Sequence, residues 1–322
     1  MLNIGIIGTG WFSGVHANIL QKMEGVKIKA ICGTSMAKAA NYANKFDDAN
    51  GYEDLIQMLD NEKLDAVYIC VPPFAHQEME SELISRGIPF LVEKPLSTDV
   101  KTPKEILLKL EESPVITSVG YHFRYRETTN LLKAELEEQT LGMITGRWMG
   151  SMPTVPWWRN QETSGGQFIE QTTHLVDLLR YTVGEIKEIY AAYAKRSIAE
   201  QYENVSVHDV GTVTMTFENG VIANLSNTCI LPEGISNVGM DYYTNKGILH
   251  IGFEGIEMVK QGEKQLIKES TDPYVKENEA FIHAIRTGDT SRILSTYHDA
   301  YKTQEVTVAA LTSAKTGAPV RI

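Results

Sequence analysis

The chain has 322 residues, 43% of them hydrophobic, which is enough for two packed cores of ordinary globular composition. Its 41 acidic and 30 basic residues give a net charge of -11, with the signs mixed and no Lys/Arg-rich block, which excludes nucleic acid and anionic membranes as partners. No stretch approaches the roughly 20 apolar residues that span a bilayer, and residues 2–8 read as a strand rather than a leader, so a cytoplasmic protein is expected.

Over the first 120 residues, short apolar runs alternate with amphipathic stretches, the pattern of a parallel sheet with helical crossovers. Strands are expected at 3–7, 27–31, 66–71, 90–92 and 116–119, and helices at 15–23, 36–46, 76–85 and 102–111. This predicts a doubly wound Rossmann domain over residues 1–120, α/β in class. Cys32, Cys70 and Cys229 are too few and too scattered for a disulfide framework or a zinc site, and no metal is expected.

From Tyr121 the pattern changes, and residues 121–322 predict a second, α+β domain. A helix near 130–138, a Pro/Trp-rich loop at 153–159 and a helix from Gln167 precede strands at 189–194, 210–217, 221–227 and 240–243. Glu218-Asn219-Gly220 and Thr244-Asn245-Lys246-Gly247 have turn chemistry, so an antiparallel sheet with helices on one face is expected. The chain closes with helices at 277–287 and 296–315, each followed by a glycine, the second of which could pack back on the N-terminal domain.

Gly8-Thr9-Gly10-Trp11-Phe12-Ser13-Gly14 follows the first strand and opens a helix, the context in which glycines let the backbone approach a pyrophosphate. The third fingerprint position is Ser13 rather than glycine. At the end of the second strand no carboxylate is offered to a ribose. Thr34, Ser35 and Lys38 would suit a 2′-phosphate, which favours NADP over NAD; the alternative is a plain turn capping the next helix.

Glu93-Lys94-Pro95 stands where a strand ends, so Lys94 should point toward the cofactor crevice, able to donate to a reacting oxygen. The bland alternative is a surface salt bridge between Lys94 and Glu93. Further along, Glu170, His174 and Asp177 fall at i, i+4 and i+7, one face of a continuous helix, with His174 a proton acceptor near neutral pH. Pro156-Trp157-Trp158-Arg159 offers aromatic faces and an Arg to a sugar, and the segment Tyr121-His122-Phe123-Arg124-Tyr125 is a second candidate wall, with packing as the alternative for both.

Taken together, the glycine turn followed by His16, Pro72-Pro73-Phe74-Ala75-His76, Glu93-Lys94-Pro95, the glycine pair leading to His174, and Ser313-Ala314-Lys315-Thr316-Gly317-Ala318-Pro319-Val320 resemble the Gfo/Idh/MocA oxidoreductases, the group of glucose-fructose oxidoreductase and inositol dehydrogenase. The resemblance spans essentially the whole chain. It implies an open, mostly antiparallel C-terminal sheet used to form homodimers or homotetramers, and sugar, inositol or related polyol substrates. Members typically pair the Lys of Glu-Lys-Pro with an Asp and a His four residues apart, which transfers onto Lys94, Glu170 and His174, with Glu one methylene longer than the usual Asp.

The cofactor contacts expected are Gly8, Gly10, Trp11, Phe12, Ser13, Thr34, Ser35, Lys38, Val71, Pro72, His76, Glu93 and Lys94. The substrate contacts expected are Lys94, Tyr121, Arg124, Trp157, Trp158, Arg159 and His174. Hydride would pass between a nicotinamide cofactor and a substrate carbon, with His174 moving the hydroxyl proton, Lys94 polarising the oxygen and Glu170 orienting one of them. Two other readings stay open: an NAD-dependent glycosidase acting by transient oxidation and elimination, and a non-catalytic dinucleotide sensor.

Overall fold

The computed structural model describes residues 1–76 and 78–322. Two compact units divide them: Met1–Leu96, Lys101–His122 and Pro273–Ala300 form the first, and Ser97–Val100, Phe123–Asp272 and Tyr301–Ile322 the second.

In the first unit the chain runs β1 (Leu2–Ile7), α1 (Trp11–Leu20), β2 (Val26–Cys32), α2 (Met36–Ala43), β3 (Asn50–Tyr52), α3 (Leu55–Asn61), β4 (Ala66–Ile69), α4 (Glu78–Ser85), β5 (Phe90–Val92), α5 (Lys101–Glu112) and β6 (Thr117–Val119). Among the described residues these strands form one six-stranded sheet in the order β3-β2-β1-β4-β5-β6, and every pairing in it is parallel. Ala66–Ile69 is buried throughout, as a central strand covered on both faces requires. The expected doubly wound sheet is therefore present, with β3 and α3 as elements that periodicity did not mark. Crossing from β2 through β1 to β4 reverses the direction of winding, and ligands of such sheets bind at the strand ends around that point.

The second unit runs α6 (Glu127–Glu137), β7 (Leu141–Met149), α7 (Gln161–Ser164), α8 (Gln167–Glu170), α9 (Thr173–Val183), β8 (Ile186–Ala194), α10 (Ile198–Gln201), β9 (Val210–Phe217), β10 (Ile222–Thr228), β11 (Asn237–Thr244), β12 (Gly247–Gly252), β13 (Gly255–Lys260) and β14 (Glu263–Lys268). The chain then returns to the first unit with α11 (Pro273–Thr287), whose Phe281, Ile282 and Ala284 join Ile4, Ile6, Leu20 and Tyr68 in one core. It ends with α12 (Tyr297–Thr316) and β15 (Val320–Arg321).

Nine strands of the second unit, among the described residues, form a sheet in the order β14-β13-β12-β11-β7-β10-β9-β8-β15. Its pairings are antiparallel except β7 with β10, which are parallel. In β9, Val213, Met215 and Phe217 point inward while Thr212 and Thr214 are exposed, the alternation of a sheet covered on one face. The covering side chains are Leu132 of α6, Leu175, Val176, Leu178 and Leu179 of α9, and Val306, Ala309 and Ala310 of α12. Cys32 and Cys229 are free, and burial pushes their thiols up to about 11 and about 12, so they pack as neutral side chains.

Candidate functional site

The end of β1 is fixed by hydrogen bonds to both neighbours: Gly8 N donates to Cys32 O and Cys70 N donates to Ile7 O, each at 2.8 Å. Gly8 adopts φ +112°, and a Cβ there would lie 2.4 Å from Cys70 O, so only glycine fits. Gly10 begins α1 with no side-chain cap, no acidic residue stands in the first turn, and the space beside Gly10 is open. Uncapped N–H groups at the positive end of a helix suit a pyrophosphate, so these residues fit the dinucleotide expected from the sequence. Ser13 is fully buried beneath the turn, Trp11 is 72% exposed, and Phe12 lies beside it edge-on at 4.7 Å.

Glu93 and Lys94 follow β5. Glu93 is 4% exposed and its Oε1 lies 2.9 Å from His16 Nε2, so it is a buried partner of His16 rather than a surface residue. His16 Nδ1 meets the Asn278 amide of α11. The carboxylate is also tucked under Gly120, where a Cβ would come within 2.8 Å of it. This packing holds the backbone from which Lys94 projects. The Lys94 Nζ sits 5.8 Å from the centroid of the Phe12 ring, so the Lys and the glycine turn share one locale. Tyr274 of α11 lies 6.3 Å from Phe12 and stacks on His122 at 4.0 Å. Tyr121, beside His122 in the same unit, is buried.

His16, Glu93 and Glu277 bring ligand-type atoms within 4.8 Å of one another. Both His16 ring nitrogens are already engaged within the protein, which makes the group a hydrogen-bonded polar core.

Four expected cofactor contacts, His76, Thr34, Ser35 and Lys38, have partners within the protein. His76 joins Glu80 through Nδ1 at 2.9 Å and the Val71 carbonyl through Nε2 at 3.2 Å, so it shapes the Val71-Pro72 loop rather than offering a free nitrogen. Burial opposes charge on this ring, but the Glu80 carboxylate and the Val71 carbonyl outweigh it and raise its pKa above the usual histidine value. Ser35 caps α2 through Lys38 N, and Lys38 Nζ donates to Thr34 Oγ1 at 3.1 Å.

In the second unit the continuous helix expected through Glu170, His174 and Asp177 is broken. Thr172 N bonds five residues back to Gln167 O, and His174 N three residues back to Gln171 O. The change of hydrogen-bond step separates α8 from α9, so Glu170 does not share a continuous helical face with His174.

His174 is 5% exposed and lies against two neighbouring rings, Phe123 at 5.0 Å and Trp148 at 5.9 Å, each within 30° of its plane and 6.4 Å from each other. Phe253 meets both rings edge-on, and the Arg126 guanidinium, anchored on the Gly252 carbonyl, covers Phe123. Trp148, Phe253 and Arg126 were not expected from the sequence; Trp148 lies on β7, a strand that the apolar pattern did not mark. The rings fix the imidazole plane.

Arg124, expected to face the substrate, instead clasps Asp177 with two bonds of 2.7 and 2.6 Å, both residues buried. Thr303 donates to the same carboxylate at 3.0 Å. Trp158, expected to present a stacking face, is 1% exposed in a cluster with Met152, Ile198, Val207 and Cys229, and its Nε1 donates to Glu170 at 2.9 Å. Trp157 is half-buried, and Arg159 lies over Tyr202.

Residues 2–121 match a family described as "Oxidoreductase family, NAD-binding Rossmann fold", and residues 131–249 match the Gfo/Idh/MocA C-terminal domain. The chain is 28% identical over 230 residues to the uncharacterized oxidoreductase YrbE of Bacillus subtilis, a match covering 70% of this chain and 66% of YrbE. It is 24% identical to the scyllo-inositol 2-dehydrogenase (NAD(+)) of the same bacterium, covering 98% of this chain and 95% of the relative. Among solved structures, the WlbA dehydrogenase from Bordetella pertussis in complex with NADH and UDP-GlcNAcA superposes with a TM-score of 0.86 at 20% identity, covering 100% of this chain and 98% of that one.

Replacing Arg124 by Leu strands a buried Asp177 carboxylate and is expected to lower stability by about 3–5 kcal/mol in urea denaturation. A cost below about 1 kcal/mol would remove Arg124 from this structural role. The His76 interaction has the opposite sign from an acid's: its contribution is full below the unfolded-state pKa of about 6.5 and is lost as pH rises through the higher folded value. The stability gap between the wild type and His76→Gln is therefore expected to narrow as denaturation is moved from acid to alkaline pH.

Proposed function

The chain belongs to the Gfo/Idh/MocA family of oxidoreductases, with an NAD-binding Rossmann domain at its N-terminus, and from that premise we propose that it transfers a hydride between a nicotinamide dinucleotide and a CH–OH carbon of a sugar, inositol or related polyol. The observation that carries this reading is Lys94, an ammonium only 9% exposed, at the end of β5 beside Phe12 of the glycine turn. The bound nicotinamide supplies the hydride acceptor or donor. What remains for the protein is to bind, orient and move a proton.

Lys94 donates to the reacting oxygen and favours its developing negative charge during oxidation. His174, with its ring plane fixed by Phe123 and Trp148, accepts the hydroxyl proton. Glu170 orients one of these groups, itself held by Trp158 Nε1. Trp157 and Arg159 remain as substrate contacts, while the buried Tyr121, Arg124 and Trp158 support the backbone of their own units. Relatives named as inositol dehydrogenases support a polyol ring as the substrate class.

A cytoplasmic homodimer or homotetramer is part of the same reading. The sheet face opposite the helices exposes Met143, Tyr190, Ile222, Tyr243 and Ile248, apolar area that a second copy would cover.

The test is absorbance of the reduced nicotinamide with a panel of sugars, inositols and sugar acids. Lys94→Ala and His174→Ala are each expected to lower turnover about 10²–10⁴-fold while NADH affinity changes little. Full turnover in both variants would overturn the assignment, and release of a leaving group without net change in NADH would move the reading to elimination.

A further inference from the structure

We infer that Glu53 sets the cofactor preference, and sets it for the dinucleotide that lacks a 2′-phosphate. This rests on the reading of the first unit as a nicotinamide dinucleotide site and deepens it.

In a parallel sheet of this order the adenine ribose lies at the end of β2, where a carboxylate accepts from its hydroxyls. Here β2 ends at Cys32, and the residues that follow, Gly33-Thr34-Ser35-Met36-Ala37-Lys38, contain no carboxylate. A side chain at the first of them would be crowded: a Cβ at Gly33 would come 3.1 Å from Thr9 of the glycine turn and 3.2 Å from Ala39 N of α2.

The neighbouring strand supplies what β2 lacks. Cys32 pairs with Tyr52 in parallel register, and Gly33 N donates to Tyr52 O at 2.9 Å, so the residue after Tyr52 emerges beside Gly33. That residue is Glu53, and its Oε2 accepts from Met36 N, the first amide of α2, at 2.9 Å. Ser35 Oγ accepts from Lys38 N at 3.4 Å. Two first-turn donors of α2 that would otherwise welcome a phosphate thus have acceptors from the chain itself.

Lys38 is the opposing influence, and with Thr34 and Ser35 it suits a 2′-phosphate. Its ammonium is exposed, strongly hydrated and on a flexible stem, and it donates to Thr34. Glu53 is pinned by a backbone amide. A ribose hydroxyl would donate to that carboxylate, whereas a 2′-phosphate would meet it as a like charge, and a fixed like charge is an effective means of rejecting one of two similar ligands.

The full-length protein and its Glu53→Gln variant are titrated separately with NADH and NADPH, with binding read by calorimetry and nicotinamide fluorescence. The wild type is expected to bind NADH more tightly. Glu53→Gln keeps an amide oxygen for Met36 N but removes the charge, and is expected to shift the affinity ratio toward NADPH by about tenfold. Adding Lys38→Ala to that variant should reverse most of the gain. A wild type that prefers NADPH, or an unchanged ratio in Glu53→Gln with both dinucleotides still bound, overturns the role of Glu53 and leaves the dinucleotide site standing; failure of the wild type to bind either one overturns both.

Discussion

The first unit is organised around the contact between Gly8 and the Cys70 carbonyl. Parallel strands β1 and β4 end side by side, and the chain leaving β1 must turn within the space of one missing methyl group. Because Gly8 can take a positive φ, its amide still reaches Cys32 O and α1 starts directly above the strand ends. From that geometry follow the uncapped helix N-terminus, the burial of Ser13 beneath the turn and the placing of Phe12 beside Lys94. Any side chain at Gly8 would push β1 and β4 apart or tilt the helix, and each downstream feature would move with it.

Several charged side chains in both units also satisfy one another. A carboxylate removed from water is costly unless it is paired, and both units resolve that demand with internal partners. Glu93 takes His16, Asp177 takes Arg124 and Thr303, and Glu170 takes the Trp158 indole. Glu93 is next in sequence to Lys94, and Asp177 lies one helical turn beyond His174, so each pairing fixes the backbone beneath a proposed catalytic side chain. Rigidity of this kind is what a proton transfer requires, since its rate depends on small differences in distance and angle.

The sequence carried the architecture where elements are long or continuously apolar, and lost it where pairing makes the element. Residues 66–69 and 90–92 read as strands because every position is buried. Asn50–Tyr52 has no apolar pattern at all; it is a strand because Ala30 to Cys32 offer it a ladder. Leu141–Met149 is interrupted by Gly142 and Gly146, the latter so close to Leu225 and Met240 that a Cβ has no room. Its place between β10 and β11 depends on residues about 80 to 100 positions away. Glu53 escaped notice for the same reason, since it reaches α2 only through the pairing of β3 with β2.

The break between α8 and α9 has a cause that lies outside the helices. Gln167 is held by its side chain: Nε2 donates to Thr228 O at 3.0 Å and Oε1 accepts from Asn227 Nδ2 at 2.8 Å, which anchors α8 to the end of β10. The α9 helix is anchored differently, by Leu175, Val176, Leu178 and Leu179 in the sheet core and by Asp177 on Arg124. Two anchors set by different neighbours need not agree in phase, and the five-residue and three-residue hydrogen bonds at Thr172 and His174 absorb the difference. The 3.6-residue period continues through the sequence because both segments bury apolar residues, so periodicity alone gives no sign of the step. Had the helix run on, Glu170 would share one helical face with His174; with the break it is free to meet the Trp158 indole, while His174 is gripped by Phe123 and Trp148.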